Sequence, residues 1–245
     1  MKEILLIVLG AIAAKATELL VEAVRQRRHG RQSLEFVGLE ATTTWGWSGA
    51  DLLRRLIKLD HRLLGDDLTS EREGTVEQWA PVFLANPSSW TLLVSRPRDI
   101  VGYWMFVALS PVEFERARAG SLLDSEISVA KVQPLDVPGV YNLYFVLLGV
   151  LPGFPGGGAR LIDAFFTRLE EMASRGVFFR EVIANAYTAE GKRICEGFGM
   201  ERVGPHQDFG TVYSLKLTPW PRALRFKRWS DLADSYRRAL EEGPE

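Results

Sequence analysis

Apolar and polar positions along the chain predict helices and strands in a mixed order. Apolar residues at helical spacing predict helices over 50–64, 75–85, 111–119, 158–175, 189–198 and 229–240. Apolar and β-branched runs predict strands over 33–40, 90–95, 100–109, 140–150, 177–184 and 211–217. The strand over 140–150 is apolar almost throughout, which is typical of a strand buried on both faces. Because this strand is followed by a helix and a further strand, the sheet is expected to contain a parallel crossover and to be mixed.

Three consecutive glycines, Gly156, Gly157 and Gly158, stand between that apolar strand and the next predicted helix. Glycine allows positive φ and close approach of a ligand, and the first turn of a helix presents unpaired N–H groups and a partial positive charge. We therefore expect a phosphate group to bind here. The main-chain amides of the three glycines, Ala159 and Arg160 would hold it.

The size and charge of the chain bound the remaining possibilities. With 245 residues, 47% hydrophobic and 25% charged, the protein is long enough to bury a substantial core. We predict three parts: an N-terminal helix and basic linker over 1–32, one α/β domain over 33–217, and an extension with a short helix over 218–245. The formal charge is −1, so no global field favours nucleic acid, and no nucleic-acid partner is expected.

Cysteine and histidine usage argues against a metal centre. Cys195 is the single cysteine, so neither an internal disulfide nor a cysteine-built metal site is expected. His29, His61 and His206 are scattered and form no metal-binding spacing. We predict no metal, and a cytoplasmic location fits this cysteine content.

The first 32 residues carry a separate signal. Residues 4–24 predict one helix that is apolar all round in its first half and amphipathic in its second. An arginine cluster over 25–31 follows, of the kind that lies against an anionic inner leaflet. Three interpretations remain open: a packing or self-association helix, an interfacial helix, and a short anchor to the inner face of a membrane.

The order of elements over 33–217, together with local motifs, resembles the GCN5-related N-acetyltransferase (GNAT) superfamily. Val150-Leu151-Pro152 matches the family's V-x-P step, and the glycine turn stands where the family has its pyrophosphate loop of type Q/R-x-x-G-x-G/A, although the leading Gln or Arg is missing. The resemblance implies an α/β (α+β) fold with a mixed, mostly antiparallel sheet, a splayed parallel strand pair and flanking helices. It also implies acetyl-CoA as cosubstrate and direct acyl transfer to a primary amine.

The resemblance assigns roles to several residues. In this family the loop amides bind the pyrophosphate of acyl-CoA, and backbone groups at the positions of Leu148 and Val150 contact the pantetheine arm. Gly149 suits the bulge that separates the central strand from the next one. Asn185, at the end of its strand, either contacts the CoA arm or caps a turn.

The helix motif departs most from the family pattern. Ile194 to Glu201 aligns with L-Y-x-x-x-G-F-x, so Cys195 stands where the family has the tyrosine that protonates the leaving thiolate. Cys195 is either a proton donor or a small buried hydrophobe. Tyr144, with Tyr141 and Tyr187, offers an alternative acid or substrate contact; each is otherwise a core or rim aromatic.

Two further charged segments each allow two interpretations. The acidic residues Asp66, Asp67, Glu71 and Glu73 line either an amine-binding rim or a solvated loop. The basic and aromatic run over 220–229 contacts either a membrane surface or nucleic acid, or it is an ordinary packed extension.

Three hypotheses of function follow. The leading one is an acyl-CoA-dependent N-acyltransferase that uses acetyl-CoA and an unidentified primary amine. Its rival is a noncatalytic CoA-binding or scaffold protein recruited through the N-terminal helix. The third is an enzyme that carries the acyl group on Cys195.

Overall fold

A seven-stranded sheet organises the protein in the computed structural model, which describes residues 33–65, 70–221 and 230–240. The strands are β1 (Glu35–Val37), β2 (Trp90–Arg96), β3 (Asp99–Ala108), β4 (Gly139–Val150), β5 (Val177–Ala186), β6 (Glu201–Pro205) and β7 (Thr211–Lys216). The helices are α1 (Leu39–Thr44), α2 (Gly49–Leu64), α3 (Ser70–Glu73), α4 (Val76–Ala85), α5 (Pro111–Arg118), α6 (Gly157–Ala173), α7 (Ala189–Gly197) and α8 (Ser230–Leu240). The predicted helix over 4–24, Asp66, Asp67 and the run over 222–229 lie outside the described residues.

The strand order is β1-β2-β3-β4-β5-β7-β6, and every neighbouring pair is antiparallel except β4 and β5. This confirms the mixed, mostly antiparallel sheet with one parallel pair. The pair is parallel because α6 carries the chain back across the sheet between β4 and β5, as a crossover requires. The order of strands and helices is the one that the GNAT resemblance implies.

The first and sixth strands differ from the prediction. The strand expected over 33–40 is reduced to Glu35–Val37, because Gly38 is the N-cap of α1 and this helix begins at Leu39, inside the predicted strand. The hydroxyls of Thr42 and Thr43 donate to the carbonyl of Leu39, so these β-branched residues satisfy helix carbonyls. Strand β6 was not predicted, since an edge strand with a polar surface and a proline carries no apolar alternation.

The core lies on both faces of the sheet. On one face, α6 and α8 cover a cluster that contains Trp104, Phe106 and Phe179. On the other face, α2, α4 and α5 cover a second cluster that contains Leu56 and Phe83. The end of β4 lies between the two clusters and is only partly covered by them.

Helix α8 packs into the first of these clusters. Tyr236 is 1% exposed, and its hydroxyl oxygen accepts a 3.3 Å hydrogen bond from the amide of Phe179 in β5. Trp220 and Leu232 are buried beside it. Residues of the predicted C-terminal extension thus help to close the core, while the division into three parts remains a prediction. Within the described ranges, no helix combines the length and apolar character needed to cross a membrane.

Candidate active site

Strands β4 and β5 separate part-way along their length. Their parallel pairing runs from Gly139 and Val177 to Phe145 and Ala184, where it ends. Strand β4 continues to Val150 along β3, and β5 continues along β7. Residues 145–150 therefore keep some accessible surface, although they lie on the central strand of the sheet and were expected to be buried on both faces. The separation makes a slot that opens toward the end of β4.

A bulge in β4 coincides with this separation. Met105 of β3 pairs with Leu147 and Phe106 pairs with Phe145, so Val146 is the extra residue. The expectation that Gly149 forms the bulge is wrong, because Gly149 pairs regularly with Tyr103.

The glycine at 149 has a packing reason instead. A Cβ at Gly149 would lie 2.8 Å from Cδ1 of Leu63, in α2. Glycine therefore lets the end of α2 approach the central strand closely.

An apolar cavity of about 130 Å³ lies beside the slot, between the sheet and helices α6 and α7. Of the residues predicted to bind the cofactor or act in catalysis, Leu148, Asn185 and Cys195 line it. Val150 does not; its side chain packs toward the start of α6, since a Cβ at Gly157 would lie 2.9 Å from its Cγ1.

Asn185 is held with one polar atom unused. Its side-chain Nδ2 donates a 3.0 Å hydrogen bond to the carbonyl of Phe209, so the amide group is fixed in orientation. Its Oδ1 is buried and receives no hydrogen bond from the described residues. A buried acceptor without a donor is costly, so this atom suits the N–H group of a ligand.

Cys195 lies on the inner side of α7. Its side chain is 6% exposed and packs with Ala186 and Tyr213. Burial raises the pKa of the thiol to about 11. The thiol is therefore protonated at neutral pH, and very little thiolate is present for nucleophilic attack.

The glycine turn has a defined backbone geometry. The amide of Gly157 donates a 3.1 Å hydrogen bond to the carbonyl of Phe154, and Gly156 has φ 79° and ψ −9°. Proline followed by a glycine at positive φ is the sequence of a type II turn, so Pro155 and Gly156 form its centre. The turn delivers the chain directly into α6.

Fewer amides are free than the sequence predicts. The amide of Gly157 is used within the turn, and that of Arg160 bonds to the carbonyl of Gly156 at 3.1 Å. Among the described residues, no acceptor faces the amides of Gly156, Gly158 and Ala159. Those of Gly158 and Ala159 lie in the first turn of α6 and remain available for an anion at its positive end. The guanidinium of Arg160 lies 5.4 Å from the ring centre of Phe36, on the surface.

A recess beside the turn adds positive charge that sequence reasoning missed. It has a volume of about 390 Å³, and Arg62 from α2 and Arg96 from β2 line it together with Pro152 and Phe154. Arg96 is paired with Asp99 at 3.4 Å. The recess thus brings two cationic side chains, from elements distant in sequence, to the side of Phe154, the residue where the turn begins.

A second, smaller cavity of about 40 Å³ lies on the opposite face of the sheet, beneath α2. Its polar lining is acidic and phenolic: Asp60, Glu73, Asp124, Tyr103 and Tyr187. Val146 and Leu147 line both cavities. The apolar and the acidic cavities therefore share lining residues at the bulge, where β4 leaves β5.

Hydrogen bonds fix two of the three carboxyl groups. Tyr103 donates to Asp60, with its hydroxyl 2.7 and 2.8 Å from the two carboxyl oxygens. Tyr144 donates a 2.7 Å hydrogen bond to Oδ1 of Asp124. Glu73 is held less tightly. Its Oε2 lies 3.4 Å from Nε2 of His61, and its Oε1 is buried and receives no hydrogen bond from an N–H or hydroxyl group of the described residues.

The three carboxyl groups titrate abnormally. Burial raises the pKa of Glu73 to about 7, and the charge of Asp124 adds to this effect while Asp60 opposes it. Burial also raises the pKa of Asp124 to about 6, although the hydrogen bond from Tyr144 lowers it. The pKa of Asp60 is raised well above its ordinary value, chiefly by burial and in part by Glu73, although the hydrogen bond from Tyr103 lowers it.

Asp60, Tyr103 and Asp124 of this cluster were not predicted from the sequence. Asp60 follows Leu56 by four residues and so continues the apolar stripe of α2, a signal that could have marked it as buried. Glu73 is 9% exposed, which contradicts a wholly solvated acidic loop. Tyr187 reaches the cavity, whereas Tyr141 lies away from it and donates to the carbonyl of Val137 near the surface.

Within the described part of the chain, no group of three or more histidine, cysteine or acidic side chains is arranged to hold a metal ion. Comparison with protein families finds no matching family model, and no curated protein matches the sequence.

Solved structures with a similar chain path do exist. The loading GNATL domain of CurA from Lyngbya majuscula has 15% identity and a TM-score of 0.47, covering 76% of this chain and 98% of that one. An acetyltransferase of the GNAT family from Staphylococcus aureus Mu50 has 8% identity and the same TM-score, covering 76% and 99%. The ribosomal-protein-S18-alanine N-acetyltransferase from Escherichia coli has 12% identity and a TM-score of 0.40, covering 76% and 94%. The first two are named for the family that the sequence motifs resemble.

Proposed function

We propose that this protein is an acyl-CoA-dependent N-acyltransferase that moves an acyl group directly from the CoA thioester to a primary amine. The observation that carries the proposal is that two unlike cavities share Val146 and Leu147 as lining residues. One is apolar and the other is acidic. Such a pair suits an acyl donor, with its phosphates at the glycine turn, and a cationic acceptor that would react beside these two residues.

The donor side is supported by the turn and the slot. The free amides of Gly158 and Ala159 would bind the pyrophosphate, with Arg62 nearby in place of the missing Gln or Arg of the family loop. Backbone groups of Leu148 and Val150 would pair with the pantetheine arm, since β4 has no strand partner on that side here. The unused Oδ1 of Asn185 would accept a hydrogen bond from a pantetheine amide.

The acceptor side is supported by the carboxyl cluster. An ammonium group in the acidic cavity would be held by Asp124 and Glu73. With a pKa near 7, Glu73 is well matched to remove a proton from that ammonium at neutral pH. The free amine then attacks the thioester carbonyl carbon, the C–N bond forms, and the C–S bond breaks to release CoA as its thiolate. The nitrogen passes its second proton to solvent water as the amide forms.

Proton donation to the thiolate is the weakest part of the site. Cys195 is the proposed donor; the raised pKa of its thiol makes transfer to a CoA thiolate unfavourable, so water can compete with it. Tyr144, predicted as an alternative acid, donates its hydroxyl hydrogen bond to Asp124 and is proposed as a positioning residue for that carboxyl group.

Binding of acetyl-CoA tests the donor side. Calorimetry should show binding that Gly158→Leu weakens at least tenfold, because a Cβ at 158 meets no protein atom within 4 Å and the new side chain would cover the free amides. Gly204→Leu, on an edge strand with equally open space, is the matched control. Absence of binding at millimolar acetyl-CoA would refute the proposal.

Turnover tests the acceptor side. Release of free CoA thiol should depend on a primary amine, and Glu73→Gln should lower kcat at least a hundredfold while leaving CoA binding intact. Glu77→Gln, at an exposed position nearby, should leave the rate unchanged. Tight CoA binding without thiol release for any amine of a broad panel would instead favour a noncatalytic CoA-binding protein.

A further inference from the structure

The apolar cavity continues well below the point where β4 and β5 separate. Val182 in β5 also lines it, two residues before the last pair at Ala184. Leu217 lines it too, and its amide donates to the carbonyl of Arg180, four residues before Ala184. At roughly 3.3 Å per residue, these levels lie about 7 and 13 Å below the separation. The cavity is therefore deeper than the slot that opens it.

Helix α6 lines the same deep region. Ile162, near the start of α6, and Leu169, seven residues later, both line the cavity, which therefore extends roughly 10 Å along the helix axis. We call the region the deep half of the cavity, and its side chains are all apolar: Phe165, Phe166, Leu169, Val182, Leu215 and Leu217. A chain of methylene groups fits such a lining, whereas an amide or a phosphate would leave its polar atoms without partners.

The glycine turn and the deep half lie on opposite sides of the separation. From Phe145, β4 runs five residues to Val150 before the turn begins, which is roughly 16 Å. A CoA ester bound with its pyrophosphate at Gly158 and its thioester at Val146 would therefore fill the slot with its pantetheine arm. Only its acyl group would point toward the deep half.

The size of the cavity limits the length of that acyl group. The whole cavity has a volume of about 130 Å³, close to that of an engineered apolar cavity of roughly 150 Å³ that takes up benzene. Because the pantetheine arm would lie beside Leu148 and Asn185 in the other half, the deep half has room for only a few carbons. An acetyl group has a single methyl carbon beyond the carbonyl and would leave most of the deep half empty.

We propose that the acyl donor of this protein carries a short saturated chain that is longer than an acetyl group and ends in the deep half of the apolar cavity. The inference rests on the acyl-CoA donor of the proposed function and specifies its chain. Each methylene group buried should improve binding about fourfold, until the cavity is full.

Calorimetry with the full chain and a series of CoA esters tests the inference. Hexanoyl-CoA should bind roughly 10- to 100-fold more tightly than acetyl-CoA, which corresponds to burial of about two or three of its four additional methylene groups, and dodecanoyl-CoA should gain nothing further. Val182→Phe would fill the deep half and should abolish the preference for hexanoyl-CoA while leaving acetyl-CoA binding within about threefold. Val203→Phe, at an exposed position of β6, is the matched control and should keep the preference.

A second variant, which enlarges the cavity, distinguishes a specific effect of Val182→Phe from a folding defect. Phe166→Leu removes part of the lining and should move the tightest binding toward octanoyl-CoA or decanoyl-CoA. A shift in opposite directions for the two variants is not produced by a general loss of structure.

Two results overturn the inference, and they differ from failure of the proposed function. If acetyl-CoA binds as tightly as hexanoyl-CoA, or if Val182→Phe lowers the affinity for both esters equally, the deep half holds no acyl chain. If neither ester nor free CoA binds at all, the donor itself is wrong and the proposed function fails with it.

Discussion

The hydroxyl of Tyr144 donates a 2.7 Å hydrogen bond to Oδ1 of Asp124, twenty positions earlier in the chain. Tyr144 lies on the central strand, whereas Asp124 belongs to a short 3-10 turn after α5. The bond therefore joins the sheet to the loop that closes the acidic cavity. It also lowers the pKa of a carboxyl group that burial otherwise raises.

Removing this hydroxyl should destabilise the protein in a pH-dependent way. In Tyr144→Phe, Asp124 loses its hydrogen bond, and we expect a cost of about 1 to 3 kcal/mol in the free energy of unfolding. The cost should be larger at pH 8, where Asp124 is ionised, than at pH 5, because its pKa is about 6. Urea denaturation at both pH values measures it. Tyr141→Phe, whose hydroxyl bonds near the surface, should cost less at either pH.

Glu73 should make the protein less stable as the pH rises. Its pKa is about 7 in the folded protein and 4.5 ordinarily, so between these values the unfolded chain releases a proton that the folded chain retains. The free energy of unfolding therefore falls across that window. Glu73→Gln removes this loss, and its stability relative to the natural protein should improve by about 1 to 3 kcal/mol between pH 4.5 and 8.

Thermal unfolding at several pH values checks the prediction for Glu73. Glu77→Gln is the control, because the pKa of Glu77 is lowered by hydrogen bonds at the start of α4 and its loss gives no such gain. A Glu73→Gln curve parallel to that of the natural protein would show that Glu73 titrates normally.

The two adjacent glycines at the start of α6 should respond oppositely to alanine. A Cβ at Gly157 would lie 2.9 Å from Cγ1 of Val150 and 3.2 Å from Cδ2 of Leu93, so Gly157→Ala should destabilise by about 1 to 3 kcal/mol. Gly158 has open space and an ordinary helical backbone, so Gly158→Ala should stabilise by up to about 1 kcal/mol. Urea denaturation of the two variants side by side measures both changes. Equal effects would mean that α6 does not approach the sheet as described.

The thiol of Cys195 should react slowly at neutral pH. Because its pKa is about 11, alkylation by iodoacetamide should rise about tenfold per pH unit from pH 7 to 10, and CoA should protect the thiol. Cys195 is the only cysteine, so intact mass reports it directly. A rate that levels off near pH 7 would instead indicate an activated nucleophile. For Cys195→Ala we expect a loss in kcat of less than tenfold, since water can replace a weak acid.

Local sequence was sufficient wherever one segment sets its own structure. The apolar spacing of α2 predicted that helix to within one residue, because burial of one face decides a helix. Pro155 and Gly156 predicted a turn for a similar reason, since proline fixes φ and glycine accepts the positive φ that follows. By contrast, β6 is held only by its pairing with β7, and nothing in its own sequence marks it.

The acidic cavity illustrates the limit of local reasoning. Asp60, Glu73 and Asp124 stand on three separate elements, and only Asp60, in line with the apolar stripe of α2, carries a local sign of burial. Their abnormal pKa values come from shared burial and from one another, which are properties of the packed chain.

The sequence by itself determined the order of strands and helices, the mixed sheet and the turn at Pro155 and Gly156, because periodicity and backbone freedom are encoded within each segment. Only the tertiary structure decided that the bulge falls at Val146, that two of the five expected amides are already used, and that an apolar and an acidic cavity share lining residues at that bulge. These features depend on which residues the folded chain brings together from distant positions, and no local pattern records that.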